Sequence, residues 1–183
     1  MPTQLTTLNN VKEWVGSQTS DDDALLTRLI SAASAWIENY LNRTLGLTTY
    51  QRNFDGAGGY RMMLPEYPVT QVISVSVDGV GIMPAADQRN LGYVFDSNSV
   101  SLRGYLFMRG VGNVQVSWIA GYNPIPDDIE QAAIHLVAAR YREKDRIGET
   151  SKVIQGMQVN FSIRDMPPDV ASIFRSYRKV VPV

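Results

Sequence analysis

The chain has 183 residues, 44% hydrophobic and 19% charged, with a formal net charge of -1 at pH 7 and no cysteine. That length can bury a proper core, and the composition is that of an ordinary soluble globular protein. Disulfides, thiolate zinc sites and cysteine nucleophiles are excluded, and the near-neutral charge gives no electrostatic footprint for gripping nucleic acid. The opening MPTQLTTLNN has no basic segment followed by an apolar run, and no later run approaches the roughly 18 apolar residues of a membrane span. We therefore expect a cytoplasmic protein with no membrane contact.

Leu8, Val11, Trp14 and Val15 follow helical spacing, with Thr7 or Asn9 as a cap and Gly16 as a stop, which predicts a short first helix. GSQTS connects it to a long amphipathic helix over residues 20–46. Leu26, Ile30, Ala33, Ile37 and Leu41 form one stripe of this helix, with Leu25, Leu29, Trp36 and Tyr40 beside it. Thr27, Ser31, Ser34, Glu38 and Asn42 take the opposite side. Ser20 is the expected N-cap, Asp21 to Asp23 suit the positive end of the helix dipole, and Arg43 with Gly46 suits the stop.

After Gly46 the pattern changes to period two. Residues 48–54 and 60–64 flank DGAGG and read as a hairpin with a glycine-rich tip. In residues 69–78, Ile73, Val75 and Val77 alternate with Ser74, Ser76 and Asp78, as a half-buried strand does, and Asp78-Gly79 supplies a tight turn. Residues 84–90 read as a loop. Residues 93–95 and 100–102 flank a turn at DSNS, and 105–108 leads through RGVG to an alternating strand with Val114, Val116 and Trp118. Residues 48–119 thus predict five to seven strands in an antiparallel sheet or small barrel.

Pro126 opens a second long helix with Asp127, Asp128 and Glu130 in its first turn. Ile129, Ala133, Leu136, Val137 and Arg140/Tyr141 mark one face, and Arg140, Arg142, Lys144 and Arg146 gather toward the end. Residues 150–154 and 157–163 flank Gln155-Gly156, which predicts a hairpin or mobile arm. Pro167-Pro168 opens a final helix with Val170, Ile173, Phe174 and Tyr177 apolar and Arg175, Arg178 and Lys179 near its end. The fold class is therefore α+β. We expect a single domain over 1–183, a helical bundle from 7–46, 126–147 and 167–179, with a β insertion at 48–119 and a C-terminal hairpin plus helix.

Little in the chain supports catalysis. His135 is the sole histidine and has no H-E-x-x-H spacing around it, so it reads as a packing or interface residue. Adjacent aspartates on a helix diverge, so Asp21 to Asp23 read as a solvated first turn instead of a metal site. DSNSVSLRGYLF opens like a calcium loop but has Ser101 at the glycine position and Phe107 at the bidentate glutamate position. Gly56 to Gly59 and Gly110 to Gly112 lack the Gly-Lys-Ser/Thr ending of a phosphate loop, and there is no Gly-x-Ser-x-Gly elbow. The basic ends at 140–146 and 175–179 are read as dipole-matched helix termini. No cofactor or metal is expected, and the chain is expected not to be an enzyme.

Several stretches together resemble the tailed-bacteriophage head-to-tail connector, or adaptor, family. They are the opening Leu8, Val11, Lys12 and Trp14, the helix DDDALLTRLISAASAWIENYLNRTL, the strand YPVTQVISVSVDG, the passage VQVSWIAGYNPIPDDIEQAAIHLVAARY, and the closing PPDVASIFRSYRK. The resemblance covers nearly the whole chain in order, and its most specific part runs from Ala120-Gly121-Tyr122 through Pro126-Asp127 to Gln131-Ala132-Ala133. It implies a structural virion subunit, made in the host cytoplasm, that assembles as a ring, typically a dodecamer, beneath the portal at the virion neck. The ring would dock a stopper or tail protein and let DNA pass without reading it.

On that reading Arg28, Ser31, Glu38, Arg140 and Arg142 are expected at the interface between subunits. Gln155, Gly156, Met157, Arg175, Tyr177, Arg178 and Lys179 are expected to meet portal or tail. A tail-completion or neck ring protein is the alternative, and a small hydrolytic or ligand-binding domain a third reading.

Overall fold

Residues 3–87, 89–144, 151–154, 157–160 and 168–179 are described by a computed structural model, in which the chain divides into two units. One comprises Met1–Arg43 with Ile125–Val183, and the other is Thr44–Pro124.

The first unit is helical. Its helix α1, Leu8–Val15, is closed at both ends as its sequence requires: Thr7 accepts from the amide of Asn10, and Gly16 takes φ 79. Helix α2 spans Asp23–Leu41 and is shorter than residues 20–46. Ser20 is not its cap. Asp22 precedes the first helical residue without a side-chain cap bond, because its carboxylate is bound elsewhere. At the other end Asn42 takes the left-handed conformation at φ 54, and the amide of Arg43 reaches back to the carbonyl of Glu38. Asparagine enters this region more readily than most non-glycine residues, so the helix ends before Gly46.

Leu26, Ile30, Ala33, Ile37 and Leu41 are buried along one side of α2. Ser34, expected on the polar side, is buried as well, and its hydroxyl accepts the amide of Leu5 at 3.1 Å. Helix α3, Asp127–Glu143, touches α1, α2 and the final helix α4, Pro168–Tyr177. Small Ala132, Ala133 and Ala138 are buried together with Ile129, Leu136 and Val137, so neighbours can approach α3 closely on more than one side. Val170 and Phe174 bury the inner side of α4. Ser151–Ile154 and Met157–Asn160 pair antiparallel with Ile154 opposite Met157. The expected tip at Gln155-Gly156 lies outside the described residues, as does Arg146.

Among its described residues the second unit holds seven strands: β1 Thr48–Gly56, β2 Arg61–Met63, β3 Val69–Val77, β4 Val80–Ile82, β5 Gly92–Phe95, β6 Ser99–Arg103 and β7 Gly110–Ala120. The strand pairs that follow α3, Ser151–Ile154 and Met157–Asn160, become β8 and β9. One sheet has the order β1-β7-β3-β4 and the other β2-β6-β5, with antiparallel pairing throughout and no closed barrel. The predicted hairpin of 48–54 with 60–64 does not form. β1 pairs along its length with β7, from Thr48 opposite Ala120 to Phe54 opposite Val114, whereas three-residue β2 pairs with β6. The long strand finds a partner of matching length, and the glycines between serve a close crossing. A Cβ at Gly56 would lie 1.8 Å from the carbonyl oxygen of Met108.

Asp78 at φ 50 and Gly79 at φ 79 form the tight turn between β3 and β4, as the dipeptide predicts. Ile73 departs from the alternation and is exposed. The β3–β7 register shifts between Val69 and Gln71 and between Val72 and Ser74, so Val69, Val72, Val75 and Val77 face inward instead. Bulges reverse strand parity, and simple period-two reading cannot anticipate them. Trp118 is fully buried, with Tyr50 and Phe54 against it and its Nε1 donating to the carbonyl of Glu66 at 3.2 Å. Tyr93 donates its hydroxyl to the carbonyl of Val72 at 3.1 Å.

Candidate interaction surfaces

In the β unit, the segment Gly104 to Met108 leaves the β6 end as an apolar loop. Phe107 turns inward and is buried, while Tyr105, Leu106 and Met108 remain about half exposed. With Tyr60, Val77, Val80, Ile82 and Leu102 they line an open groove of about 690 Å³, in which Asp78 is the one carboxylate among the described lining residues. The sequence signal was available in the run YLFM: four consecutive large apolar residues between glycines cannot all be buried in a short loop. Groups suited to acid-base work do not converge here. The lining is largely apolar.

The helical unit presents charge. Asp22 accepts from the Tyr141 hydroxyl and from Lys144 Nζ at 3.1 Å, and Lys144 also lies over the Tyr141 ring at 4.3 Å. The Tyr141 bond first, then Lys144, holds the Asp22 carboxyl below its ordinary value, while the bond to Asp22 first, then Tyr141, raises Lys144. Asp23 pairs with Lys12 at 2.7 Å. The acidic start of α2 therefore ties neighbouring helices together, beyond its expected role as a solvated first turn.

Arg28 is exposed on α2, and Ser31 and Glu38 are half-buried on the same side of the helical wheel. Arg142 is exposed and Arg140 half-buried at the end of α3. On α4, Arg175 is exposed, while Tyr177 donates its hydroxyl to both carboxylate oxygens of Asp128, at 3.0 and 2.9 Å. Arg178 lies 5.6 Å from the centre of the Tyr40 ring, and the amide of Lys179 donates to the carbonyl of Leu41 at 3.0 Å. Tyr177, Arg178 and Lys179 thus engage their own unit, while Arg175 is an exposed cation on α4. Met157 lies in β9, described by its backbone pairing with Ile154; Gln155 and Gly156 lie outside the described residues.

A cleft of about 450 Å³ lies between α1 and α3, lined by Asn10, Glu13, Trp14, Asp127, Glu130, Gln131 and Ile134. Trp14, one of the helically spaced apolar positions of α1, is 50% exposed, and its indole lies against the ring of His135 with ring centres 4.8 Å apart. The sequence carries no local signal for this cleft, because its aromatic residue and three acidic positions come together only when α1 and α3 pack. Among the described residues, no group of three or more histidine, aspartate or glutamate side chains could hold a metal ion. No helix among them is long and apolar enough to cross a membrane.

No curated protein sequence matches the chain. Solved structures do. A chain in the neck of an empty gene transfer agent (GTA) particle, computed with C6 symmetry, is similar at TM-score 0.62 and 19% identity, covering 96% of this chain and 90% of that one. A chain in the neck of the native GTA particle, computed with C12 symmetry, is similar at TM-score 0.60 and 19% identity over the same shares. A chain of the native GTA virion is similar at TM-score 0.59 and 21% identity, again over 96% and 90%. At these identities the likeness concerns the fold. The head completion protein family matches residues 4–180, and the chain belongs to that family.

Proposed function

We propose that this protein is a structural, non-enzymatic subunit of the head-to-tail neck of a phage-like particle. The observation that carries the reading is the match of the head completion protein family to residues 4–180, which takes in both units. In this reading copies close into a ring beneath the portal, the ring docks a stopper or tail protein, and DNA passes through unread. The C6 and C12 symmetry of the GTA necks supports a ring. A net charge of -1 supports passage without tight binding, because a strongly basic lumen would hold the duplex through its phosphates.

Arg28, Ser31 and Glu38 on α2 and Arg140 and Arg142 on α3 are proposed to meet the neighbouring subunit. Gln155, Gly156, Met157 and the α4 end with Arg175, Tyr177, Arg178 and Lys179 are proposed to meet portal or tail. Chemical cross-linking of intact particles followed by mass spectrometry tests the reading. Links from this chain to itself and to portal are expected. Links to tail-tube subunits alone would favour a tail-completion ring, and links to neither would overturn the neck assignment.

A further inference from the structure

Helix α3 is electrically two-ended. Glu13, Asp127 and Glu130 line the α1–α3 cleft at its N-terminal end, and no lysine or arginine among the described residues lines it. Glu130 accepts hydrogen bonds from Thr6 and Asn10, and none of the three carboxylates has a cation partner among the described residues. Trp14 adds a half-exposed indole whose π-face attracts cations, and Gln131 adds a buried Nε2 with no acceptor among the described residues. At the other end, Arg140 and Arg142 make no hydrogen bond or ion pair among the described residues, while Lys144 is already held by Asp22. Fifteen residues separate Asp127 from Arg142, about 22 Å along the helix, too far for one copy to satisfy itself.

We infer that the α1–α3 cleft is the receptor for the Arg140–Arg142 end of α3 from a second copy of this chain. The occupant follows from charge complementarity: the cleft offers carboxylates and an aromatic face, and guanidinium groups pair with both. Because the two surfaces sit at opposite ends of one helix, each copy keeps a free cleft and a free basic end after its first contact. Such a heterologous contact propagates and closes into a ring when its rotation allows. The inference rests on the ring reading proposed above and names the surfaces that meet. It also makes assembly salt-sensitive, since both surfaces are near solvent.

Two variants test it. One carries Glu13→Lys and Asp127→Lys, leaving Glu130 to hold Thr6 and Asn10. The other carries Arg140→Glu and Arg142→Glu, with Arg142→Glu alone as a second version should the half-buried Arg140 disturb folding. Circular dichroism checks each fold, and sedimentation velocity at low ionic strength reads the assembly. Each variant alone should associate more than about tenfold more weakly than the original protein, through like-charge repulsion. An equimolar mixture should regain large assemblies, because the cationic end of each first variant fits the unaltered cleft of each second variant, and the reversed pair also match.

Variants that assemble alone as well as the original, or a mixture that does not recover, would overturn the inference while leaving a ring built on other surfaces. Recovery that stops at a dimer would overturn the propagating contact. An original protein that stays monomeric at every concentration and never joins portal would instead overturn the ring reading itself.

Discussion

Trp14 is the one exposed large apolar side chain of the helical unit among the described residues, whereas the β unit exposes Val80, Met83, Leu91, Leu106, Met108 and Val111, the last at 92%. The contrast follows from how each element disposes its residues. A helix confines its apolar side chains to a stripe that neighbours cover, and leaves charge at its ends. Strands bury one face, but the loops and short edges joining them carry apolar side chains that no other part of the unit covers. Among the described residues the helical unit therefore exposes ionic groups with little large apolar surface, whereas the β unit exposes apolar side chains alongside ionic ones such as Arg52, Asp55 and Arg103. Contacts made through the ionic groups should weaken with salt, and contacts made through the exposed apolar side chains of the β unit should not.

The largest expected effect tests the β core. Trp118→Ala removes a fully buried ring and its bond to Glu66, and should cost about 3–5 kcal/mol of stability in urea unfolding. A cost below about 1 kcal/mol would mean that Trp118 does not anchor the core. Tyr177→Phe should cost about 1 kcal/mol by loosening α4 from Asp128, read as faster amide exchange in α4 than in α2.

Acid titration sharpens the ionic side of the contrast. Asp22 has a folded value depressed by Tyr141 and Lys144, so its contribution is present above the unfolded value of about 4 and is lost as pH falls through the lowered one. Lys144 is raised, so its contribution holds below the ordinary lysine value and is lost as pH rises through the raised one. Asp22→Asn should flatten the acid limb of the stability curve and leave the neutral plateau lower. The smallest effect is expected at the β surface. Met83→Ser or Val111→Ser should change stability by less than about 0.5 kcal/mol, yet reduce binding of an apolar dye.

The helices were legible because period 3.6 and capping chemistry agree over Leu26, Ile30, Ile37 and Leu41, and again over Ile129, Ala133 and Leu136. The Asp78-Gly79 and DSNS turns were legible because each needs particular residues, with Asp96 accepting the amides of Asn98 and Ser99. Strand partners were not. Pairing of β1 with β7 joins residues as far apart as Thr48 and Ala120, a choice made by strand length and core packing that leaves no local mark. Ile73 was misread because bulges shift parity within β3. Of the candidate contact residues, the charged helix ends could be named from the sequence. The α1–α3 cleft could not, because Trp14 and Asp127 converge only when two helices pack.

The central claim, that this chain builds a ring at the head-to-tail neck, is tested most directly by single-particle electron microscopy of the purified protein with and without portal. The account predicts closed rings of uniform copy number that stack on one end of the portal. A protein that remains monomeric and never appears on portal particles would contradict it.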